Sequence, residues 1–133
     1  MPGFTTHAES SGVLYLTADA LSLPGLAHGF STRAGGYSRG IFGQLNLGLH
    51  RGDDEENVLA NYRLFCGAIG VRAENCVLAK QVHRDDVKLV LPADAGAGLL
   101  REQDYEADAL VTNVPGLVLT IFSADCIPTL YYD

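Results

Sequence analysis

The sequence has 133 residues, enough for one globular domain with a buried core. Apolar residues make up 47% of it and charged residues 19%, which excludes a disordered chain. Sixteen acidic side chains oppose nine scattered basic ones, and the net charge of -7 argues against nucleic acid as a partner.

The cysteines and the first ten residues predict the cellular compartment of the protein. Cys66, Cys76 and Cys126 show no CxxC spacing, so they indicate free thiols rather than a disulfide framework or a zinc ribbon. The first ten residues lack a signal-peptide pattern, and no apolar run is long enough to span a membrane. We therefore predict a cytoplasmic protein without a membrane partner.

The first third of the chain is predicted to open a sheet. A β-prone run covers residues 12–17, and a turn leads to a second candidate strand at residues 27–31. Residues 33–48 contain five glycines in sixteen positions, too many for the interior of a regular element. They predict a long structured loop, and such loops are usually functional.

The clearest predicted element is a helix between residues 52 and 70. Asp53 or Asp54 is the candidate N-cap, two glutamates follow in the first turn, and Gly70 supplies the stop. One apolar stripe recurs at helical spacing: Val58, Leu59, Tyr62, Phe65, Cys66 and Ile69. Cys66 is therefore assigned to the core rather than to a reactive thiol.

Short strands are predicted for the rest of the chain. CVLAKQV and DVKLVL are β-prone runs on either side of HRDD, which puts His83 at a strand end or a tight connection. A polar loop follows, then ADALVT and GLVLTIFSAD joined by an NVPG turn, and finally TLYYD as the start of another strand. The predicted class is α+β (mixed α/β) with a largely antiparallel sheet, and residues 1–133 are predicted to form one domain.

His83 and Cys126 stand out chemically. Cys126 follows Asp125 in SADCIP, a polar break in an apolar strand region that Pro128 ends. Imidazole and thiolate combine either as zinc ligands or as a pair in which histidine activates a nucleophilic thiolate. A buried structural cysteine beside a turn aspartate is an equal alternative. Forty-three positions separate the two residues, so only the fold can bring them together.

Several segments together resemble the YfiH/YlmD-like family, long called the laccase-domain or multicopper polyphenol oxidoreductase family and later described as purine nucleoside phosphorylases. They are HGFSTRAGGYS (28–38), LNLGLHRGDD (45–54), NYR (61–63), KQVH (80–83) and the stretch 106–133. The resemblance runs from about Leu26 to Asp133. It implies a fold of layered sheets flanked by helices, of the CNF1/YfiH-like type.

The resemblance implies a metal site of two histidines and one cysteine. His83 and Cys126 are two of those ligands, and His83, Cys126 and Asp125 are the implied catalytic residues. The third ligand is the histidine of an HAGW segment, which this sequence lacks. Because family members are roughly twice this length, residues 1–133 are expected to be the N-terminal part of a larger domain. The implied cofactor is Zn²⁺, with Cu²⁺ as the alternative.

The implied reaction is zinc-dependent phosphorolysis of adenosine or inosine to the free base and ribose 1-phosphate, with adenosine deamination as a further activity. Arg33 and Arg63 are candidate phosphate ligands, because a planar guanidinium suits oxyanions. Asn46 is a candidate for the ribose or base, and a structural loop bond is its alternative. Gln81 is a further substrate-binding candidate that could also support the histidine ligand. For Asp125, capping of a turn is the alternative to a catalytic role.

Three rival functions stay open. One is a cysteine hydrolase with Cys126 as nucleophile and His83 as base, as in peptidoglycan-precursor editing. Another is a copper-dependent polyphenol oxidase, which four isolated histidines support poorly. The third is a non-catalytic fragment that self-associates through an unpaired sheet edge.

The remaining histidines and Arg84 carry smaller expectations. His28 and His50 are expected to be structural, and His7 is given no role. Arg84 stands where the family usually has glycine. It predicts either ordinary backbone or some strain at that position, and altered access to the site.

Overall fold

The computed structural model describes residues 3–133, which divide into two units. The first unit ends at Val71, and the second runs from Arg72 to Asp133. Within the described residues, no helix is long and apolar enough to cross a membrane.

An antiparallel sheet opens the first unit, with its strands in the order β1-β2-β3. The strands are β1 (Phe4–Ala8), β2 (Leu14–Ala18) and β3 (Phe30–Ser31). The two predicted strands are confirmed at β2 and β3, although both are shorter than or offset from the predicted ranges. No prediction was made for β1, because FTTHA shows no alternation of apolar and polar residues and its side chains are mostly exposed.

The first unit's core lies between this sheet and the helix α1 (Glu55–Ala68). The Asp54 side chain caps the helix by accepting the Glu56 N–H at 2.9 Å, and Gly70, with φ of +78°, follows its end. The predicted helix and both end signals are confirmed. Its apolar face packs on buried Val13, Tyr15 and Leu45, and Cys66 is buried as predicted.

The glycine-rich loop at residues 33–48 is held by one side chain of α1. Asn61 is fully buried, and its Oδ1 accepts the Tyr37 N–H at 2.8 Å. Its Nδ2 donates to Ser38 Oγ at 2.9 Å and to the Asn46 carbonyl at 2.8 Å. The loop contains one 3-10 turn at Gly40–Phe42 and backbone bonds from the Gln44 and Leu45 N–H groups to the Arg33 carbonyl, and the buried amide adds side-chain bonds that help to order it.

Gly36 is required where this loop passes Asn61, which gives a first prediction. A Cβ there would lie 2.6 Å from the Gln44 carbonyl oxygen and 2.8 Å from Asn61 Oδ1. Gly36→Ala is expected to lower the free energy of unfolding by about 1–3 kcal/mol, measured by urea denaturation, because the loop must shift. Gly67→Ala is the control. A Cβ at Gly67 meets nothing within 4 Å, and alanine in a helix should stabilise by about 0.5–1 kcal/mol. Equal effects of the two substitutions would contradict the prediction.

The second unit contains two parallel strand pairs. β4 (Cys76–Leu78) pairs with β7 (Val118–Thr120), and β5 (Val87–Leu89) pairs with β6 (Ala109–Val111). Their core contains buried Val77, Val90 and Ala97. The prediction of a largely antiparallel sheet is thus confirmed in the first unit and wrong in the second. The NVPG segment makes no hairpin, because β6 and β7 bond to different partners. Residues 129–133 form no strand.

Candidate functional site

The site candidates of the second unit follow one edge of the β4–β7 pair. Because the two strands are parallel, the chain leaves both at the same end, towards His83 after β4 and towards Cys126 after β7. The backbone ladder extends one bond further, from the Ala79 N–H to the Thr120 carbonyl at 2.9 Å. The two segments that carry the candidate donors therefore begin side by side.

Gln81 ties these two segments together. Its Nε2 donates to the Phe122 carbonyl at 2.9 Å, and its Oε1 accepts the Phe122 N–H at 2.7 Å. One side-chain amide thus makes both bonds that a neighbouring strand would otherwise supply. Both amide groups of Gln81 are occupied by backbone, so the geometry favours its supporting role over direct substrate contact.

His83 lies in a tight connection whose backbone N–H groups converge on Asp108. The Asp108 carboxylate accepts from Val82 at 2.9 Å, from His83 at 2.8 Å and from Arg84 at 2.8 Å. These bonds, that from Arg84 first and then those from His83 and Val82, lower the pKa of Asp108 below its ordinary value. The carboxylate is therefore ionised at neutral pH and acts as an anion enclosed by backbone donors.

The backbone of His83 is left-handed, with φ of +61°. For a residue with a β carbon this conformation costs about 1–3 kcal/mol and persists only where surrounding contacts impose it. The three N–H bonds to Asp108 are those contacts. The predicted strand end or tight connection at His83 is confirmed.

Arg84 has no positive φ, so of the two expectations for this position ordinary backbone is confirmed. The left-handed residue is the histidine before it. The Arg84 guanidinium donates to Asp86 at 2.9 Å and to Glu106 at 3.0 Å, and its pKa is raised chiefly by the bond to Asp86. The positive charge of Arg84 is therefore paired with two carboxylates.

Cys126 and Asp125 lie in an irregular segment beyond β7, and both are exposed. The Ser123 hydroxyl donates to the Cys126 carbonyl and closes a short turn around them. Cys66 and Cys76, by contrast, are buried. The alternative of a buried structural cysteine at position 126 is therefore wrong for the described chain. A thiol at this position is open to a ligand or reagent.

His83 and Cys126 suit a metal by donor type, because imidazole nitrogen and thiolate sulfur are what Zn²⁺ prefers. Both residues are exposed, on segments that leave one edge of the sheet. Within residues 3–133, however, no three His, Cys, Asp or Glu side chains come together as a metal-binding group. The two residues fit as part of a donor set, and a metal bound by them would need further donors.

Arg33, Asn46 and Arg63 belong to the first unit. Arg33 is exposed and donates to the Gly43 carbonyl at 2.8 Å. The Asn46 side chain donates to Asp53 Oδ2, just before α1, at 2.9 Å and accepts the Gly48 N–H at 3.0 Å. This agrees with the structural alternative for Asn46. Arg63 is exposed on α1.

The other histidines are engaged in the first unit. His28 Nε2 accepts the Ala18 N–H at 2.9 Å, and His50 Nδ1 lies 2.7 Å from Glu55 Oε1. His7 Nε2 lies 2.9 Å from Thr17 Oγ1 and its ring stacks on Tyr15. These contacts fit the structural roles expected of His28 and His50.

Comparison with known proteins shows which family the chain belongs to. Residues 27–133 match the family model described as "Multi-copper polyphenol oxidoreductase laccase". The chain belongs to this family. The match covers the glycine-rich loop, α1 and the whole second unit, and the resemblance found in the sequence is confirmed.

Similar proteins within the laccase family are named after a different enzyme activity. The chain is 34% identical to "Purine nucleoside phosphorylase YlmD" of Geobacillus stearothermophilus, covering 88% of this chain and 43% of that protein. It is 38% identical to "Purine nucleoside phosphorylase" of Deinococcus radiodurans, covering 92% of this chain and 43% of that one. The chain therefore spans less than half the length of these relatives.

Solved structures confirm the fold. The crystal structure of YlmD from Geobacillus stearothermophilus matches with a TM-score of 0.70 and 35% identity, over 91% of this chain and 45% of that chain. The Bacillus licheniformis hypothetical protein YfiH matches with a TM-score of 0.73 and 29% identity, with the same coverage. The predicted mixed α/β fold of the YfiH type is confirmed.

Sequence reasoning missed two residues that organise this laccase-family chain. Asn61 sits three positions after Val58 and next to Tyr62, so a polar residue inside the predicted apolar stripe was the available signal. Asp108 directly precedes a β-prone run, where an aspartate often bonds nearby backbone. Nothing in the sequence connects Asp108 to His83, twenty-five residues earlier, because that contact depends on the β5–β6 pairing.

The aspartates predict a loss of stability in acid. Asn46 and Ser38 lower the pKa of Asp53, and the Leu91 N–H and Lys88 lower that of Asp94. A folded pKa below the unfolded value of about 3.9 contributes stability that is present above that value and lost as the pH falls through the folded pKa. The urea concentration at the unfolding midpoint should therefore decrease as the pH is lowered from about 6 to about 3. Asp94→Asn should reduce this difference, and an unchanged wild-type midpoint would contradict the prediction.

Proposed function

We propose that this chain is part of a purine nucleoside phosphorylase, which cleaves adenosine or inosine with phosphate to the free base and ribose 1-phosphate. The observation that carries the proposal is the Gln81 clamp, the pair of hydrogen bonds between Gln81 and the Phe122 backbone. It holds the His83 segment beside the Cys126 segment at the exit edge of two parallel strands. The names of the similar proteins support the same activity.

Phosphorolysis requires a phosphate placed at the ribose C1 and neutralisation of the charge that develops on the leaving base. In this proposal His83 and Cys126 would hold Zn²⁺ together with further donors, and the bound ion would supply Lewis-acid chemistry for phosphorolysis and for adenosine deamination as a second reaction. Asp125 exchanges a proton with the substrate through its carboxylate.

Arg33 and Arg63 would bind the phosphate through their guanidinium groups. Asn46 is the weakest of the proposed substrate contacts, because its amide already bonds Asp53 and Gly48. Gln81 contributes by fixing the two donor segments rather than by touching the nucleoside. The proposed setting is the cytoplasm, with a purine nucleoside and phosphate as partners.

Kinetic assay of the protein expressed from its complete reading frame tests this function. Adenosine and inosine are supplied with and without phosphate, and base and ammonia release are measured separately. We expect base release that requires phosphate, that is lost on chelation and that returns with Zn²⁺. Ammonia from adenosine would report deamination. No base release by the zinc-loaded wild type would reject the proposal.

The exposed Cys126 thiol supports a second candidate, a cysteine hydrolase with His83 as base. The two functions differ in what inactivates them. A cysteine–histidine pair should survive chelation and fail after iodoacetamide treatment, whereas a zinc enzyme should fail on chelation. Chelator-resistant hydrolysis without phosphate would favour the hydrolase.

A further inference from the structure

We infer that Asp108 is a positioning residue for His83: its carboxylate holds the turn that sets where the imidazole projects. The inference rests on the proposed function, in which His83 is a metal ligand. Asp108 itself touches neither a metal nor a substrate in this role.

The Asp108 carboxylate accepts hydrogen bonds from a continuous run of backbone N–H groups. Three consecutive N–H groups, those of Val82, His83 and Arg84, donate to the two oxygens of one carboxylate over 2.8–2.9 Å. Consecutive N–H groups that face one side form an anion-binding concavity. Here the anion is an intrinsic side chain, so the turn is preformed around it.

These bonds hold His83 in a left-handed backbone conformation. Among the described residues, only His50 and His83 have positive φ without being glycine. A histidine in the left-handed region projects its Cβ in a direction that a right-handed or extended backbone would not give. His83 is exposed, and the turn fixes the direction of the Cα–Cβ bond from which its imidazole extends. Asp108 therefore sets where the His83 side chain leaves the backbone.

Asp108 is itself held in place by backbone bonds. It stands immediately before β6, and its N–H and that of Ala109 donate to the Asp86 carbonyl at 3.0 and 3.2 Å. Both ends of the turn at residues 82–86 are thus bonded to the beginning of β6. Residues 82–84 donate to the Asp108 carboxylate, and the Asp86 carbonyl accepts the two N–H groups. Removing the carboxylate alone would free residues 82–84 and leave the β5–β6 ladder in place.

The test compares Asp108→Asn, Asp108→Glu and a control, Asp94→Asn, in the complete protein. Asp94 is a good control because it also accepts a backbone N–H, from Leu91 at 2.7 Å, and pairs with Lys88, yet lies outside the His83 turn. Co²⁺ replaces Zn²⁺ as the probe, since its absorption bands report thiolate and imidazole ligation. Affinity for Co²⁺, kcat, KM and the urea midpoint are measured for each variant.

We expect Asp108→Asn to weaken Co²⁺ binding by about 10–100-fold and to lower kcat more than it raises KM. Asp108→Glu, which keeps the charge one methylene further out, should bind Co²⁺ with intermediate affinity. Asp94→Asn should lower the urea midpoint and leave Co²⁺ affinity unchanged. If Asp108→Asn does not fold, weakened Co²⁺ binding by a folded Asp108→Glu supports the inference, and unchanged binding overturns it.

The outcomes separate this inference from the proposed function. If the wild type releases base with phosphate and Asp108→Asn keeps wild-type Co²⁺ affinity and kcat, the inference is overturned and the function stands. If the wild type binds Co²⁺ through His83 without releasing base, and Asp108→Asn weakens that binding, the function fails and the inference is supported.

Discussion

Replacing His83 with asparagine is expected to lower kcat/KM for phosphorolysis by about 100-fold or more, because the imidazole is removed from the proposed centre. Asparagine tolerates a left-handed backbone better than most residues, so the turn at φ of +61° should keep its three bonds to Asp108. The urea midpoint should therefore stay close to that of the wild type. Steady-state kinetics and urea unfolding of the same preparations measure both quantities.

His50→Asn is the matched control for that substitution. His50 is also an exposed histidine with a left-handed backbone, φ of 56°, and its N–H bonds a nearby carboxylate, that of Glu55 at 2.9 Å. The control therefore repeats the same chemical change in the same backbone conformation in the other unit. Its kcat/KM should remain near the wild-type value. Similar losses in both variants, or none at position 83, would show that His83 has no special role.

Local signals in the sequence are sufficient for the helix of the first unit. The cap at Asp54, the apolar stripe and Gly70 are short-range features whose physics does not depend on the rest of the chain, so α1 could be placed before the structure was known. The glycines at residues 33–48 by themselves predict an ordered loop. How it is ordered depends on Asn61, which lies more than a turn of helix into α1 and signals its burial only through the stripe around it.

Strand pairing in the second unit was not predictable in the same way. Val87–Leu89 has exposed side chains at both ends and Cys76–Leu78 is wholly buried, so the two runs differ in environment although both look β-prone in sequence. Their partners, β6 and β7, come from beyond a long loop. Parallel register between distant strands leaves no local pattern, whereas a turn such as NVPG suggests a hairpin that does not form.

The candidate site shows the same division. His83 and Cys126 were identified by residue type and by family resemblance, and the structure adds that parallel strands deliver both segments to one edge. The supporting contacts could not be predicted from the sequence, because the bonds Gln81–Phe122 and Asp108–His83 join residues forty-one and twenty-five positions apart. Side chains that bond backbone across such distances become visible only once the pairing is known.

Asn61→Leu is expected to destabilise the first unit by about 3 kcal/mol. Leucine has a similar volume but satisfies neither the Tyr37 N–H nor the Asn46 carbonyl, which Asn61 bonds at 2.8 Å each. A buried polar group left without a partner costs about 1–3 kcal/mol, and two are left here. The loop that carries Arg33 should loosen at the same time, so the phosphate KM should rise if Arg33 binds phosphate. Urea denaturation and phosphate titration measure the two effects.

Asn57→Leu provides the comparison on the same helix. Asn57 lies one turn earlier in α1 and is only partly buried, so the same substitution there should change the free energy of unfolding by no more than about 0.5 kcal/mol. A large loss at Asn61 with little change at Asn57 would trace the order of the glycine-rich loop to one buried amide. Equal effects at both positions would instead mean that the loop is held by its own turns and glycines. A normal phosphate KM in a destabilised Asn61→Leu protein would separate the loop's contribution to folding from any contribution to binding.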